Sequence, residues 1–440
     1  MKEDSRPGYK QTEIGEIPEK WKIVSIGDIT DIKGGKRLPK GHRFSKKPTL
    51  FPYIRVADFA NGSIKLGNIK YLTAKDAEKL KRYKITSKDI YISIAGTIGL
   101  VGTIPHQLDG ANLTENASRI IIRNKNELNK NFLAAYLSSE IGQHEIDKKT
   151  TKTSQPKLAL KRIKQILMPI PSISEQSKTA NILITVDDAI QKTDGIIAKT
   201  EELKKGLVQK LLTEGICHND FKETEIGRFP VSWNVMKLRN ADVEVIDGDR
   251  GINYPKKSDF SSKGFCSFLN AKNVTGDGFN FNETQFISEI KDSKMGKGKL
   301  NKYDIVLTTR GTIGNVGYCD DNVLYEHIRI NSGMVIIRNK NNLIDNKFIY
   351  LLFRAPIIKT QIKKTSYGTA QSQLNVKIIN NLKIVLPSLE EQRKIIEIIF
   401  AMDSKIEIET GKKEKLKELK KGLMQVLLTG KVRVKIDKDA

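Results

Sequence analysis

LKKGLVQKLLT at residues 203–213 is written again as LKKGLMQVLLT at 419–429, an offset of 216. Working back from that pair, the echo continues in order. PSISEQ (171–176) returns as PSLEEQ (387–392), and IIIRNKNEL (120–128) as VIIRNKNNL (335–343). KDIYISIAGTIGLVG returns as YDIVLTTRGTIGNVG, and YKQTEIGEIPEKW (9–21) as FKETEIGRFPVSW (221–233), the offset drifting only from 212 to 216. This is one module of about 215 residues used twice, too long for a solenoid repeat. Each copy is large enough to bury its own core. The middles, Gly34–Lys84 and Asp247–Lys302, share little while the flanks match. Kept ends around divergent middles imply one framework presenting two different recognition surfaces.

The flanks read as mixed α and β. Ile90–Ile94, Ile305–Thr309, Arg119–Ile122 and Met334–Ile337 are β-rich, and Phe132–Ser138 and Phe348–Phe353 read as short helices. Strands and helices do not alternate regularly, which favours α+β domains over a doubly wound sheet. Pro169, Pro171 and Pro387 then stop each domain ahead of a long proline-free helical pattern, with Ser174 and Ser388 as N-caps. Thr179, Val186, Thr193, Thr200 and Leu207 fall on one heptad line, Ile182, Ala189, Ile196 and Leu203 on its partner. Adding 216 gives Ile395, Met402, Glu409, Leu416 and Leu423, with Ile398, Lys405, Lys412 and Leu419. A helix of about 39 residues is about 58 Å long. The expected fold is therefore α+β: two globular domains joined by two long helices that form an antiparallel coiled coil, an internal pseudo-twofold repeat. The expected boundaries are 1–168 and 217–384 for the domains, 169–216 and 385–433 for the helical regions, and 434–440 for a tail.

Charge points to the partner. Lys and Arg number 76 against 51 Asp and Glu, a net +25. Such an excess opposes folding by self-repulsion, and its use is attraction to a polyanion. An AT-rich genome would supply lysine too, but with compensating glutamate, which is short here. Cys217, Cys266 and Cys319 are odd in number and far apart, which excludes a disulfide framework or zinc knuckle and suits a reducing cytoplasm. Cys217-His218 reads as a linker coincidence. No apolar run approaches a bilayer span, and MKEDSRPGYK lacks the apolar stretch of a secretory signal.

Catalytic signatures are missing. There is no Asn/Asp-Pro-Pro-aromatic loop to hold a flipped adenine, and no GxxxxGK[S/T] loop for ATP. Asp259, Glu289 and Lys291 could suggest a metal-dependent nuclease, but Glu-x-Lys also occurs at 202–204 and 418–420. GTIGLVG (96–102) and GTIGNVG (311–317) resemble phosphate cradles. Each instead follows a β run and returns to an apolar one, as a glycine turn between strands does. The strands show no stacking aromatics of the kind that RNA readers expose.

Binding candidates are the basic and polar residues of the variable middles and the glycine turns. In the first copy they are Lys33, Lys36, Arg37, Lys40, Arg43, Lys46, Lys47 and Arg55, with Thr97 on the turn. In GGKRLPKGHRF cations alternate with glycine and proline, suiting a loop laid on phosphates. The second copy offers Arg250, Lys256, Lys257, Lys272, Arg310 and Thr312. Arginine can pair bidentately with guanine and asparagine with adenine, which makes Arg55, Asn270 and Asn273 candidate base readers. KKTTKTSQPK (148–157) and KKTSYGTAQSQ (363–373) precede the helices and could clamp the DNA backbone through Lys152, Gln155, Lys364, Tyr367 and Gln371.

The paired TEIGEIPEKW openings, PSxxEQ helix starts and KKGLxQxLLT helix ends, in this order over residues 9–433, resemble the specificity subunits of Type I restriction–modification systems. That resemblance implies two target-recognition domains reading the halves of a bipartite double-stranded DNA site. It implies helices that act as spacer and dock two methyltransferase subunits, joined in a restriction complex by motor-nuclease subunits. It implies no cofactor on this chain; S-adenosylmethionine, with ATP and Mg where a motor subunit joins, belongs to the partners. The competing reading is a self-sufficient DNA-cleaving or DNA-modifying enzyme with duplicated binding domains.

Overall fold

A computed structural model describes residues 6–60, 62–151, 154–366 and 373–436. The chain divides into two compact units, residues 1–195 with 410–440, and residues 196–409. Both repeat one α+β plan.

In the first unit an antiparallel sheet orders Val101–Thr103, Ile90–Ser93, Ala117–Ile122 and Thr30–Gly34. A second sheet is built around the parallel pair Pro52–Ile54 and Ala111–Leu113. The second unit repeats the first sheet with Val316–Tyr318, Ile305–Thr308, Met334–Asn339 and Val243–Asp247. It repeats the parallel pair with Cys266–Leu269 and Ile328–Ile330. The dissimilar middles therefore share a topology that their sequences conceal.

One sequence match misleads about register. Ile120 of IIIRNKNEL aligns with Val335, yet Ile90 pairs with Ile120 and its counterpart Ile305 with Ile337. The central strand of the second copy is slid by two residues. Side chains alternate with period two, so this slip keeps every residue on its original face and costs the core nothing.

The long helices span Ile173–Leu211 and Leu389–Leu427, 39 residues each. The first begins two residues earlier than Ser174 predicts: the Ser172 hydroxyl accepts the Glu175 N–H at 3.3 Å, as Ser388 accepts that of Glu391. In each unit the start of one helix packs beside the end of the other. Ala180 and Leu183 share a core with Leu423, Met424 and Leu428, while Ile395, Ile396 and Ile399 share one with Leu211 and Leu212. The pairing is antiparallel, since Asp187 bonds Lys420 and Asp194 bonds Lys413.

The heptad line through Thr179, Val186, Thr193, Thr200 and Leu207 does face inward. Its expected partner line does so only at Ile182 and Ala189, which are half-buried. Ile196, Leu203, Ile398 and Leu419 are exposed, and the residues one position later close the seam: Leu183, Ile190, Ile197 and Lys204, with Ile399, Ile406, Lys413 and Lys420. Asp187, Asp194 and Asp403 supply the charge that lets lysines end those lines. Helix geometry allows either spacing, three or four, between seam lines, and these ion pairs favour four.

Gly195 and Gly206 sit within the first helix, and a Cβ at either would meet nothing within 4 Å. Alanine relieves the entropic cost of glycine in a helix, so Gly195→Ala and Gly206→Ala should each stabilise by about 1 kcal/mol. A thermal melt showing no gain would contradict that open packing.

Candidate nucleic-acid interface

The glycine turns are framework, and they define an edge. In the first unit the Ser93 hydroxyl donates to the Thr97 carbonyl at 2.6 Å and accepts the Leu100 N–H at 2.8 Å. In the second, Thr308 does the same with the Thr312 carbonyl and the Asn315 N–H. Gly96, Gly99, Gly311 and Gly314 all have φ between +71° and +90°, a region that disfavours L side chains. Two copies with different neighbours thus fold one turn in the same way.

Strand register places other loops at the same edge. Ser93 pairs with Ala117 and Ser118 with Gly34, so Thr97, the Asn116 turn and Lys36–Arg37 leave the sheet together. Arg37 is exposed and lies 3.5 Å from Glu115. The polar stretch before the helix joins them: Lys157 bridges Ala95, and the Leu158 N–H bonds the Ile94 carbonyl. In the second unit Thr308 pairs with Met334 and Asp247 with Val335. Arg310 and Arg250 therefore flank Ser332–Gly333; the Arg310 N–H bonds Gly333, and the Arg250 guanidinium reaches the Ser332 carbonyl at 3.3 Å. The Leu374 N–H bonds Thr309 beside them.

Of the sequence candidates, Lys33, Lys36, Arg37, Thr97, Arg250, Arg310 and Thr312 gather at these edges. Arg310, Thr97 and Thr312 are exposed. Lys40, Arg43, Lys46, Lys47, Lys256 and Lys257 are exposed farther along the edge loops, Gln155 lies in the stretch beside the first turn, and Lys364 is exposed near the end of Pro356–Ser366. Lys152, Tyr367 and Gln371 lie outside the described residues.

Three candidates are engaged inside the fold instead. Arg55 forks onto Asp58 at 2.7 and 3.1 Å and bonds the Asn68 carbonyl; the hydrogen bond to the Asp58 carboxylate holds the guanidinium pKa above its ordinary value. Asn273 is buried, accepting from Asn270 and donating to the carbonyls of Asn280 and Glu283. Asn270 caps the same short turn through the Lys272 N–H. Arg55-Asp58 and Asn270-Asn273 are one turn written in two chemistries, 215 residues apart. Such side chains hold shape, and Lys272, paired with Glu283 at 3.5 Å, sits on that turn. Of the grouping Asp259, Glu289 and Lys291, the structure pairs Lys291 with Asp259 at 2.9 Å.

The helix-start motif also acquires a physical role. Gln176 is fully buried, accepts the Asn129 N–H and donates to the carbonyls of Glu127 and Pro171. Gln392 repeats this with Asp345, Leu343 and Pro387. The glutamate before it grips the chain emerging from the other helix: Glu175 takes Arg433 at 2.7 and 2.8 Å, and Glu391 takes His218, the Ile216 N–H and the Trp233 indole. His218 is thus a structural joint. No sequence spacing announced it, because its partner lies 173 residues away.

Comparison with known proteins agrees with this architecture. A family model described as the Type I restriction modification DNA specificity domain matches twice, at residues 18–202 and 230–418. The MjaVIII specificity subunit of Methanocaldococcus jannaschii is 30% identical, with 97% of this chain and 96% of that one covered. The putative MjaX specificity subunit of the same organism is 28% identical, with 97% of each covered. The fold resembles the crystal structure of a Type I S subunit from M. genitalium, with TM-score 0.54, 17% identity, and 93% of this chain and 96% of that one covered. With both halves matched by one domain and nearly its whole length shared with named specificity subunits, the chain belongs to the Type I restriction–modification DNA-specificity subunits, a family that specifies rather than catalyses.

Proposed function

We propose that each unit reads one half of a bipartite duplex site through the strand-end edge just described. The observation that carries this is the repeated edge itself: one hydrogen-bonded glycine turn presents Thr97 with Lys36 and Arg37 in one unit, and Arg310 and Thr312 with Arg250 in the other. Cations bind phosphate and set register, while arginine at a groove edge reads guanine. The net +25 supplies long-range attraction to the duplex. The paired helices would set the spacing between half-sites. Their unpartnered apolar residues, Leu419 in the first unit and Leu203 with Ile398 in the second, offer docking contacts for two adenine-N6 methyltransferase subunits. S-adenosylmethionine would be bound by those subunits, and ATP with Mg by any motor subunit.

Co-expression with the cognate methyltransferase, followed by mapping of methylated adenines, tests the proposal. A split consensus is expected. Arg310→Ala should cost about 1–3 kcal/mol at one half-site and leave the other intact. Methylation without a bipartite consensus would overturn the reading.

A further inference from the structure

Ile252 is 98% exposed, at the tip of a turn closed by the Tyr254 N–H on the Gly251 carbonyl. Solitary surface aliphatics are ordinary, but this one is held with unusual care. Asp249 is buried, and its carboxylate accepts the N–H groups of Gly251 and Gly296 at 2.7 Å each and of Lys297 at 3.3 Å. Asn253 donates to the Lys294 carbonyl at 2.9 Å, Tyr254 packs edge-on against Phe268, and Pro255 is buried. Behind them the buried Arg329 guanidinium bonds the carbonyls of Asp292, Met295 and Lys297, fixing the segment that holds Asp249. Two layers of buried polar contact therefore hold a side chain that touches almost nothing in its own fold.

The surroundings indicate what it faces. Arg250, Lys256 and Lys257 flank the turn in sequence; Lys294 and Lys297 flank it through those backbone bonds. The four lysines are exposed, and Arg250 is about half so. The turn also leaves the sheet at the edge that carries Arg310, since the Gly248 N–H still bonds the Met334 carbonyl. One aliphatic group in a cationic rim is too little apolar area for a protein interface, which needs several anchors. It suits a loop tip entering a DNA groove, with cations on the phosphate walls and an apolar group at the base edges. In the major groove the apolar feature of a base edge is the thymine 5-methyl.

The geometry points to Ile252 as an apolar reader of a thymine methyl in one half-site, with Asp249 and Arg329 as positioning residues. The inference rests on the edge-reading function proposed above and adds a named contact to it. Preorganisation is what makes it effective, because a rigid tip loses little entropy on binding.

The test uses the complete methyltransferase complex. Once the split site is mapped, duplexes are made with each thymine of one half-site, then the other, replaced by deoxyuridine, which removes only the methyl. At one thymine, wild type should lose about fourfold in methylation efficiency, the value of one buried methyl group. Ile252→Ala should lose a similar factor on the natural site and show no further loss on the uracil duplex. Its melting temperature should match wild type, since the side chain is exposed. If wild type ignores the methyl at every position, or Ile252→Ala keeps the full uracil penalty, Ile252 is not the reader. If the variant instead weakens assembly with the methyltransferase and leaves the uracil penalty intact, the residue faces protein, which also overturns the inference. A wild-type complex with no split site would fault the underlying function instead.

Discussion

Asp292→Ala should destabilise the second unit by about 3–5 kcal/mol, the usual cost of leaving a buried charge without its partner. Asp292 and Arg329 are both buried and joined at 2.5 Å, and Lys299 bonds the second carboxylate oxygen at 2.6 Å. Alanine leaves the buried guanidinium with only the backbone carbonyls of residue 292, Met295 and Lys297, which accept its hydrogen bonds but carry no countercharge. The other groups nearby do not replace it: Asp249 feels the charge of Arg329 but is committed to the N–H groups of Gly251, Gly296 and Lys297, and Cys266 is pushed up to about 12, by burial first and by Asp292 itself, so it stays a neutral thiol. Asp292 also explains the pH dependence. Burial alone would raise its carboxyl, but the hydrogen bonds from Lys299 and Arg329 and the charge of Arg329 outweigh that and hold it below the ordinary range. A carboxylate depressed in the folded state contributes its full stability above its unfolded pKa, and loses it as pH falls through the folded value. Wild type should therefore weaken on acidification below about pH 4 more steeply than Asp292→Ala. Each unit buries one tryptophan, Trp21 in the first and Trp233 in the second. Denaturant unfolding followed by Trp233 fluorescence in a Trp21→Phe background thus isolates the relevant unit. A loss below about 1 kcal/mol at pH 7 would show that the site relaxes or hydrates, and the pairing argument would fail.

The same network shows what the sequence could and could not disclose. The twofold repeat, the α+β class and the long helices were legible because they rest on local patterns: repeated words, proline stops and an apolar period. The inward line from Thr179 to Leu207 was legible for that reason too. Its partner line was not, because Ile196 and Leu203 look like better core residues than Lys204. Only the opposing Asp403 makes a lysine acceptable there. The candidate site was half legible. Charge and composition pointed to the edge loops, but they could not separate Arg310, which stays exposed, from Arg55, whose carboxylate partner sits three residues away. Nor could they single out Ile252. A lone isoleucine between Gly251 and Asn253 carries no signal until Asp249 and the Gly296–Lys297 backbone are seen to hold its turn. Long-range polar pairing has no sequence period, and it decides which polar residues face outward.

Gln392→Leu should cost about 3 kcal/mol or more in the same assay, although leucine is apolar and of similar size. The site is fully buried, and the amide satisfies three backbone groups: the Asp345 N–H and the carbonyls of Leu343 and Pro387. Leucine satisfies none, and each buried backbone group left unpaired costs about 1–3 kcal/mol. The loss falls at the point where the domain ends and the helix begins, so the helix start should loosen from the Leu343–Asp345 loop. Gln176→Leu should act alike in the first unit through Asn129, Glu127 and Pro171, read by Trp21 in a Trp233→Phe background. Gln209→Leu, at an exposed position on the first helix, is the matched control and should stay within about 0.5 kcal/mol of wild type. If Gln392→Leu proved as mild as Gln209→Leu, the recurrence of PSxxEQ could not be explained by stability. The motif would then have to be read through Glu175 and Glu391, which grip the chain leaving the opposite helix. If the predicted gap is found, the repeated glutamine is the pin of each domain–helix junction, bonding in both units the carbonyl before the helix and the loop before the preceding short helix.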